Sequence, residues 1–326
     1  MRLAVLGGGS WGTALAVHAR RAGHELATWV RSPEVADSIN ERRENQAYLP
    51  GVELPAGLRA TTSLDEALAN AEAAIVAVPS EYCRDVYRRV GAAAGPGVLL
   101  VSATKGLETD TLQRMSEVAA AEAPGRPLAV LSGPSFALEV AQALPTAVVV
   151  ASDDHSVAER VQRALATRAF RVYSSEDVTG VELAGAVKNV IAIAAGIVDG
   201  LGYGHNTVAA LVTRGLAEIA RLAVALGGRP DTLAGLAGLG DLVLTCTGAL
   251  SRNRTLGQRL GRGATLQEAS AGIHAEGVRT ALAACALAER HAIDMPIAHQ
   301  MKAVLYAGKA PRQALEELML RSLKRE

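Results

Sequence analysis

The residue types best suited to chemistry lie in the second half of the chain. Lys188 sits with Asn189 on a helix-length stretch, Val181–Asp199. At helical spacing one face carries Leu183, Val187, Val190, Ile191, Ala194, Ile197 and Val198 and reads as core. The other carries Val181, Gly185, Lys188, Ala192, Ala195 and Asp199, small residues apart from its one long cation. Such a lysine can be a snorkelling surface group. It can also be a partly desolvated acid/base, because burial and neighbours shift lysine readily. Asp241 and Thr245 are four apart, so a helix places both on one face. Asp241 is equally suited to cap a helix after Gly240. Ser251-Arg252-Asn253 is either a polar turn or an anion site, with Arg252 pairing bidentately to a phosphate.

A second group lies at the start. An apolar run, Arg2–Leu6, leads into Gly7-Gly-Gly9-Ser10-Trp11-Gly12, then a helical pattern to Arg21 and another strand pattern, Glu25–Val30. In that context GxGxxG is a dinucleotide signature. Gly7 allows the tight turn, Gly9 lets a pyrophosphate approach the backbone, and Gly12 lets helix and sheet pack closely. The helix N-terminus then faces the phosphates. Arg31-Ser32 stands where an acidic residue usually grips the ribose of NAD; an arginine there suits a 2′-phosphate. NADPH is therefore expected to be accepted, with NAD as the alternative.

Composition narrows the rest. Formal net charge is zero, which gives no sign of a nucleic-acid or anionic-membrane partner. Apolar residues are 49% and aromatics 3%, so any core is aliphatic. Cys83, Cys246 and Cys285 are widely spaced without CxxC, and the histidines show no paired metal spacing. No metal site is expected, and a reducing cytoplasm fits. The apolar run Val190–Val198 is too short to span a bilayer, and the opening residues read as strand and turn rather than signal peptide.

Strands are expected at Ala73–Val78, Gly97–Ala103, Pro127–Leu131, Thr146–Ala151 and Phe170–Tyr173. Helices are expected at 82–92, 108–123 and 136–143. Ser80, Lys105 and Ser132-Gly133-Pro-Ser135 fall at strand ends, where such sheets bind ligands. Beyond Ser174 the signals are helical: Thr207–Leu226, Thr255–Gly261, Thr265–Ala271 and Val278–Glu289, with Pro230–Gly240 a loop or short helix. The expected architecture is an α/β Rossmann-like doubly wound sheet over 1–178 and an all-α substrate and catalytic domain over 179–326.

These pieces resemble the bacterial NAD(P)-dependent glycerol-3-phosphate dehydrogenase family along essentially the whole chain. The matching stretches are GGGSWGTALA at 7–16, VPS at 78–80, ATKGLE at 103–108, SGPSFA at 132–137, GAVKNVIAI at 185–193, TRGLAE at 213–218, GLGDLVLTC at 238–246, SRNR at 251–254 and AEG at 275–277. The resemblance implies reversible reduction of dihydroxyacetone phosphate to sn-glycerol 3-phosphate, the head of the glycerophospholipids, by a cytoplasmic, metal-free homodimer. It implies Lys188 as general acid/base, with Asn189, Asp241 and Thr245 around the reacting centre. It implies Arg252 and Asn253 as phosphate ligands with Ser251 beside them, and Lys105, Gly133 and Ser135 lining substrate and cofactor. Ser10, Trp11, Arg31, Lys105, Ala137, Arg252 and Glu276 match cofactor positions. Trp11 stands where tyrosine or phenylalanine is common, and Ser135 where threonine is frequent. The competing expectations are a related 3-hydroxyacid or sugar-acid dehydrogenase and a non-catalytic dinucleotide sensor.

Overall fold

The computed structural model describes residues 1–322, so the last four residues of the expected 179–326 region lie outside the described residues. Two compact units emerge. The first comprises Met1–Lys105 and Gln113–Glu182, the second Gly106–Leu112 and the chain from Leu183 on.

The first unit alternates strand and helix: β1 (Arg2–Leu6), α1 (Ser10–Arg21), β2 (Glu25–Trp29), α2 (Pro33–Arg42), β3 (Arg59–Thr61), α3 (Leu64–Leu68), β4 (Ala73–Val76), α4 (Ser80–Ala93), β5 (Leu99–Ser102), α5 (Met115–Glu122), β6 (Leu128–Ser132), α6 (Ala137–Ala141), β7 (Thr146–Ala151), α7 (His155–Leu165) and β8 (Phe170–Ser175). One eight-stranded sheet runs in the order β3-β2-β1-β4-β5-β6-β7-β8. Every pairing is parallel except β6 with β7. Strands β4 and β5 are buried along their whole length, as strands covered on both faces are. Along β1 the faces alternate. Leu3 and Val5 join one apolar cluster with Leu15 and Val17, while Ala4 and Leu6 join another with Val86 and Tyr87. The strand order reverses between β1 and β4, the crevice where open α/β sheets take ligands.

The expected helix at 108–123 is shorter, beginning only at Met115. Thr109 and Thr111 hydrogen-bond Asp110 and Glu108 locally, and Leu112 takes a left-handed φ of 65° that no α-helix can carry. The backbone N–H of Arg114 then donates to Glu117 Oε2 at 2.8 Å and opens α5.

The second unit is helical. It is built on α8 (Val178–Gly200), α9 (His205–Ala225), α10 (Pro230–Ala234), α11 (Asp241–Thr247), α12 (Arg252–Gly261), α13 (Leu266–Ser270), α14 (Glu276–Arg290), α15 (Pro296–Tyr306) and α16 (Pro311–Met319), with a π turn at Leu236–Gly240. Two expectations for α8 need correcting. The helix is buried on every side rather than on one face, because α9, α12 and α14 all press against it. It also runs for 23 residues, long and apolar enough to cross a membrane, where the sequence run looked too short. Its most apolar window is wholly buried, which marks it as a core helix.

Helix α12 meets α8 through backbone. A Cβ on Gly196 would lie 2.0 Å from Arg254 O, one on Gly257 2.0 Å from Ile193 O, and one on Gly261 2.5 Å from Ile197 O. Only hydrogen fits at these positions. At the same crossing Asp199 accepts from Arg254 at 2.8 Å and from Gln258.

Candidate active site

In the first unit the glycine turn follows β1 directly. Gly7 has φ 130°, and a Cβ there would meet Ala77 O at 2.6 Å. A Cβ on Gly12 would strike Gly7 O at 1.9 Å, so α1 packs onto the turn itself. A Cβ on Gly9 would meet nothing within 4 Å. That open space, in front of the first N–H groups of α1, fits a pyrophosphate. Ser10 Oγ is turned onto Tyr48 O at 2.6 Å. Trp11 Nε1 donates to Ala103 O at 3.2 Å and places its ring below the Lys105 ammonium, 6.0 Å from the ring centre. Lys105 Nζ donates to Gly133 O at 2.8 Å and reaches Ser135 Oγ at 3.4 Å. Trp11, Lys105, Gly133 and Ser135, far apart in the chain, are thus one group at the sheet's carboxyl edge. Ala137 opens α6, which packs on α1. Arg31 is exposed and lies over the ring of Tyr82.

Two residues not singled out by the sequence, Asn45 and the middle glycine of the turn, complete this cradle. Asn45 is fully buried, and its Nδ2 donates to Gly8 O and Thr13 Oγ1, both at 2.8 Å. It pins the loop before β3 onto the glycine turn, yet a lone asparagine in an irregular segment has no periodicity to betray it. Gly8 also counts, since a Cβ there would press into Val30 Cγ1 at 2.5 Å.

In the second unit α8 presents Lys188, only 5% exposed. Its Nζ donates to Asp241 Oδ1 at 2.6 Å and to Thr245 Oγ1 at 2.7 Å. Thr245 in turn donates to Asp241 O at 2.6 Å, one turn back along α11. Asp241 is 1% exposed and does not cap its helix; the carboxylate is turned to the lysine instead. Cys246 lies in the same surroundings, where burial pushes its thiol up to about 12 and keeps it an inert neighbour.

Next to this pair is a chain of amides. Asn253 Nδ2 donates to Asn189 Oδ1 at 2.9 Å, and Asn253 Oδ1 accepts from Gly277 N at 2.9 Å. Asn253 therefore ties α8, α12 and α14 together. Ser251 caps α12, its Oγ accepting from Arg254 N at 3.2 Å. Arg252 opens that helix with an exposed side chain, and surrounding protein pulls the guanidinium below its ordinary range, partly countered by Glu276. The structure thus brings together Lys188, Asp241 and Thr245, and joins Asn189 with Asn253, while Ser251 and Arg252 stand at the start of the helix that carries Asn253, with Glu276 near Arg252.

Chemically, the pair is a buried, hydrogen-bonded ammonium fit to stabilise and protonate a developing oxyanion. The start of α12, with its arginine, is fit to take an anion. Among the described residues no cluster of metal-ligating side chains occurs.

Comparison with known proteins gives the same direction. The family described as NAD-dependent glycerol-3-phosphate dehydrogenase N-terminus matches residues 2–158, and the one described as its C-terminus matches residues 177–316. The chain is 50% identical to the glycerol-3-phosphate dehydrogenase [NAD(P)+] of Geobacter sulfurreducens, covering 100% of this chain and 98% of that one. It is 51% identical to the protein of the same name from Koribacter versatilis, with 98% and 97% covered. The crystal structure of glycerol-3-phosphate dehydrogenase from Coxiella burnetii superposes with a TM-score of 0.95 at 42% identity, covering 98% and 99% of the two chains. With both family halves matched in order and half of its residues shared with full-length relatives, this chain belongs to the NAD-dependent glycerol-3-phosphate dehydrogenase family.

Proposed function

We propose that the protein is an NAD(P)-dependent sn-glycerol-3-phosphate dehydrogenase that interconverts dihydroxyacetone phosphate and sn-glycerol 3-phosphate. The observation that carries this reading is the Lys188 ammonium, nearly buried and held 2.6 Å from Asp241 and 2.7 Å from Thr245.

By the family resemblance, Gly7, Gly9, Ser10, Trp11, Gly12, Arg31, Lys105, Ala137, Arg252 and Glu276 are the residues that serve the dinucleotide. When bound in its reduced form, that cofactor supplies hydride. As hydride adds to C2 of the ketone, Lys188 stabilises the negative charge that builds on the carbonyl oxygen and gives it a proton, so that the oxygen, still bonded to C2, becomes the hydroxyl of the product. In the reverse direction Lys188 takes that proton back. Asp241 and Thr245 fix the amine so that no reorientation is needed during reaction. Arg252 and Asn253 bind the phosphate together with the N–H groups at the start of α12, and Ser251 caps that helix beside them. Binding energy from the phosphate orients the ketone. By the same resemblance Lys105, Gly133 and Ser135 serve substrate and cofactor, and Asn189 belongs to the polar shell of the reacting centre.

The resemblance also supports a cytoplasmic homodimer whose product feeds glycerophospholipid synthesis; light scattering of the purified protein tests the dimer. The function itself is tested by following NADPH and NADH oxidation with dihydroxyacetone phosphate, unphosphorylated dihydroxyacetone and 3-hydroxy or sugar acids. Turnover confined to the phosphorylated ketone is expected. Equal turnover of the unphosphorylated ketone, or preference for an acid, sinks the reading. Cofactor binding without any turnover would leave only the sensor.

A further inference from the structure

Helix α4 and the end of β2 are joined by two guanidinium–ring stacks with the partners exchanged. Arg89 of α4 lies over the ring of Trp29, 5.3 Å from its centre. Arg31, two residues past Trp29 and thus on the same side of the extended chain, lies over the ring of Tyr82 of α4 at 5.5 Å. Tyr82 and Arg89 are seven apart, two helical turns, and share one face of α4. The Trp29 stack is the anchored one: Trp29 is 8% exposed and its Nε1 donates to Thr62 O at 3.0 Å. The Tyr82 stack is the open one, with Tyr82 45% exposed.

Arg31 makes no hydrogen bond or ion pair among the described residues, so the flat face of its guanidinium is occupied while its N–H edge remains available. The neighbouring hydroxyl is committed elsewhere: Ser32 Oγ donates to Glu34 and accepts from Val35 N at 3.3 Å as the cap of α2. The guanidinium of Arg31 is thus a group at this strand end with its N–H edge available to a cofactor phosphate, and how well the arginine is held affects how well that phosphate is read.

We infer that Tyr82 is a specificity-determining positioning residue, a ring against which Arg31 is held edge-outward to recognise the 2′-phosphate that distinguishes NADPH from NADH. The inference rests on the reading of Arg31 as the 2′-phosphate group.

The experiment is calorimetric titration of the full chain with two cofactor fragments, adenosine 2′,5′-bisphosphate and 5′-AMP, which differ in the 2′-phosphate. An exposed cation–π contact predicts that Tyr82→Leu weakens the bisphosphate about two- to fivefold more than 5′-AMP. Tyr82→Phe, which keeps the ring, restores the discrimination of the unaltered protein. Arg31→Ala lowers it by roughly ten- to a hundredfold, the span of a charge-assisted hydrogen bond. If Tyr82→Leu weakens both fragments alike, or neither, the ring supports adenine or nothing, and the inference is overturned while Arg31 keeps its assignment. If Arg31→Ala leaves discrimination intact, the assignment of Arg31 itself falls, and the role of Tyr82 falls with it.

Discussion

The pairing of Lys188 with Asp241 can be separated into its structural and chemical parts by replacing the two side chains singly and together. At 2.6 Å and an effective dielectric of about 20, the two charges attract by about 6 kcal/mol. Burial of both partners, 5% and 1% exposed, takes back several kcal/mol for each ion, so the net gain from the pair is small. Removing one partner is another matter, because it strands the other charge in the interior. Lys188→Met alone and Asp241→Leu alone are each expected to lower stability by about 3–5 kcal/mol. The double variant, with apolar groups of similar volume, should lie near the original stability or above it by up to about 4 kcal/mol. Turnover behaves differently. Every variant lacking the amine loses the proton donor, a factor of about 10²–10⁴, and the restored stability of the double variant returns none of it. Urea unfolding followed by far-UV circular dichroism gives the stabilities, and dihydroxyacetone phosphate reduction gives kcat. Single effects that simply add in the double variant, within about 0.5 kcal/mol, would refute the coupling. A double variant with normal kcat would remove Lys188 from the chemistry.

Two further outcomes follow from other parts of the second unit. Arg252→Ala should raise KM for the phosphorylated substrate tenfold to over a hundredfold by the rough scale of a charge-assisted hydrogen bond, and steady-state kinetics showing unchanged KM would place the phosphate elsewhere. Glu218 of α9 is 1% exposed and accepts from Ile297 N at 2.7 Å and Ala298 N at 3.2 Å, in the first turn of α15. Burial pushes its carboxyl up to about 7, against the opposing pull of those N–H groups. An unfolded glutamate titrates at about 4.5, so between that value and about 7 the folded chain holds a proton that the unfolded one has lost. Stability contributed by Glu218 is thus full below this window and declines by ~1.4 kcal/mol per pH unit across it. Glu218→Gln should abolish that decline, and parallel unfolding curves for the two proteins from pH 5 to 8 would rule out its titration.

Much of this arrangement could be read from residues close together in the chain. The glycine turn between β1 and α1, the Lys188 helix and the four-residue spacing of Asp241 and Thr245 are local patterns. The reversal of β7 against β6 was not legible, because an apolar strand carries no mark of its direction. Nor was β3, three residues long at the sheet edge and too short to show alternation. The partnership of Lys188 with Asp241 joins positions 53 residues apart, which no local spacing marks; the family resemblance alone pointed to it. The double tie of Asn253, to Asn189 on α8 and to Gly277 on α14, also had no local mark; it leaves the second hydrogen of its amide nitrogen to donate to a ligand. A usable clue did go unread: the glycines spaced four apart, Gly196 with Gly200 and Gly257 with Gly261, were the signature of two backbones in contact.

That crossing acts as a caliper. Because α8 and α12 touch through main chain at Gly196, Gly257 and Gly261, no rotamer change can widen the gap between them. One jaw carries the amine and the other the guanidinium, so on the roles proposed above their span sets the length of molecule that fits between them. A ketone phosphate longer by one methylene should be turned over far more slowly than dihydroxyacetone phosphate, whatever its intrinsic reactivity.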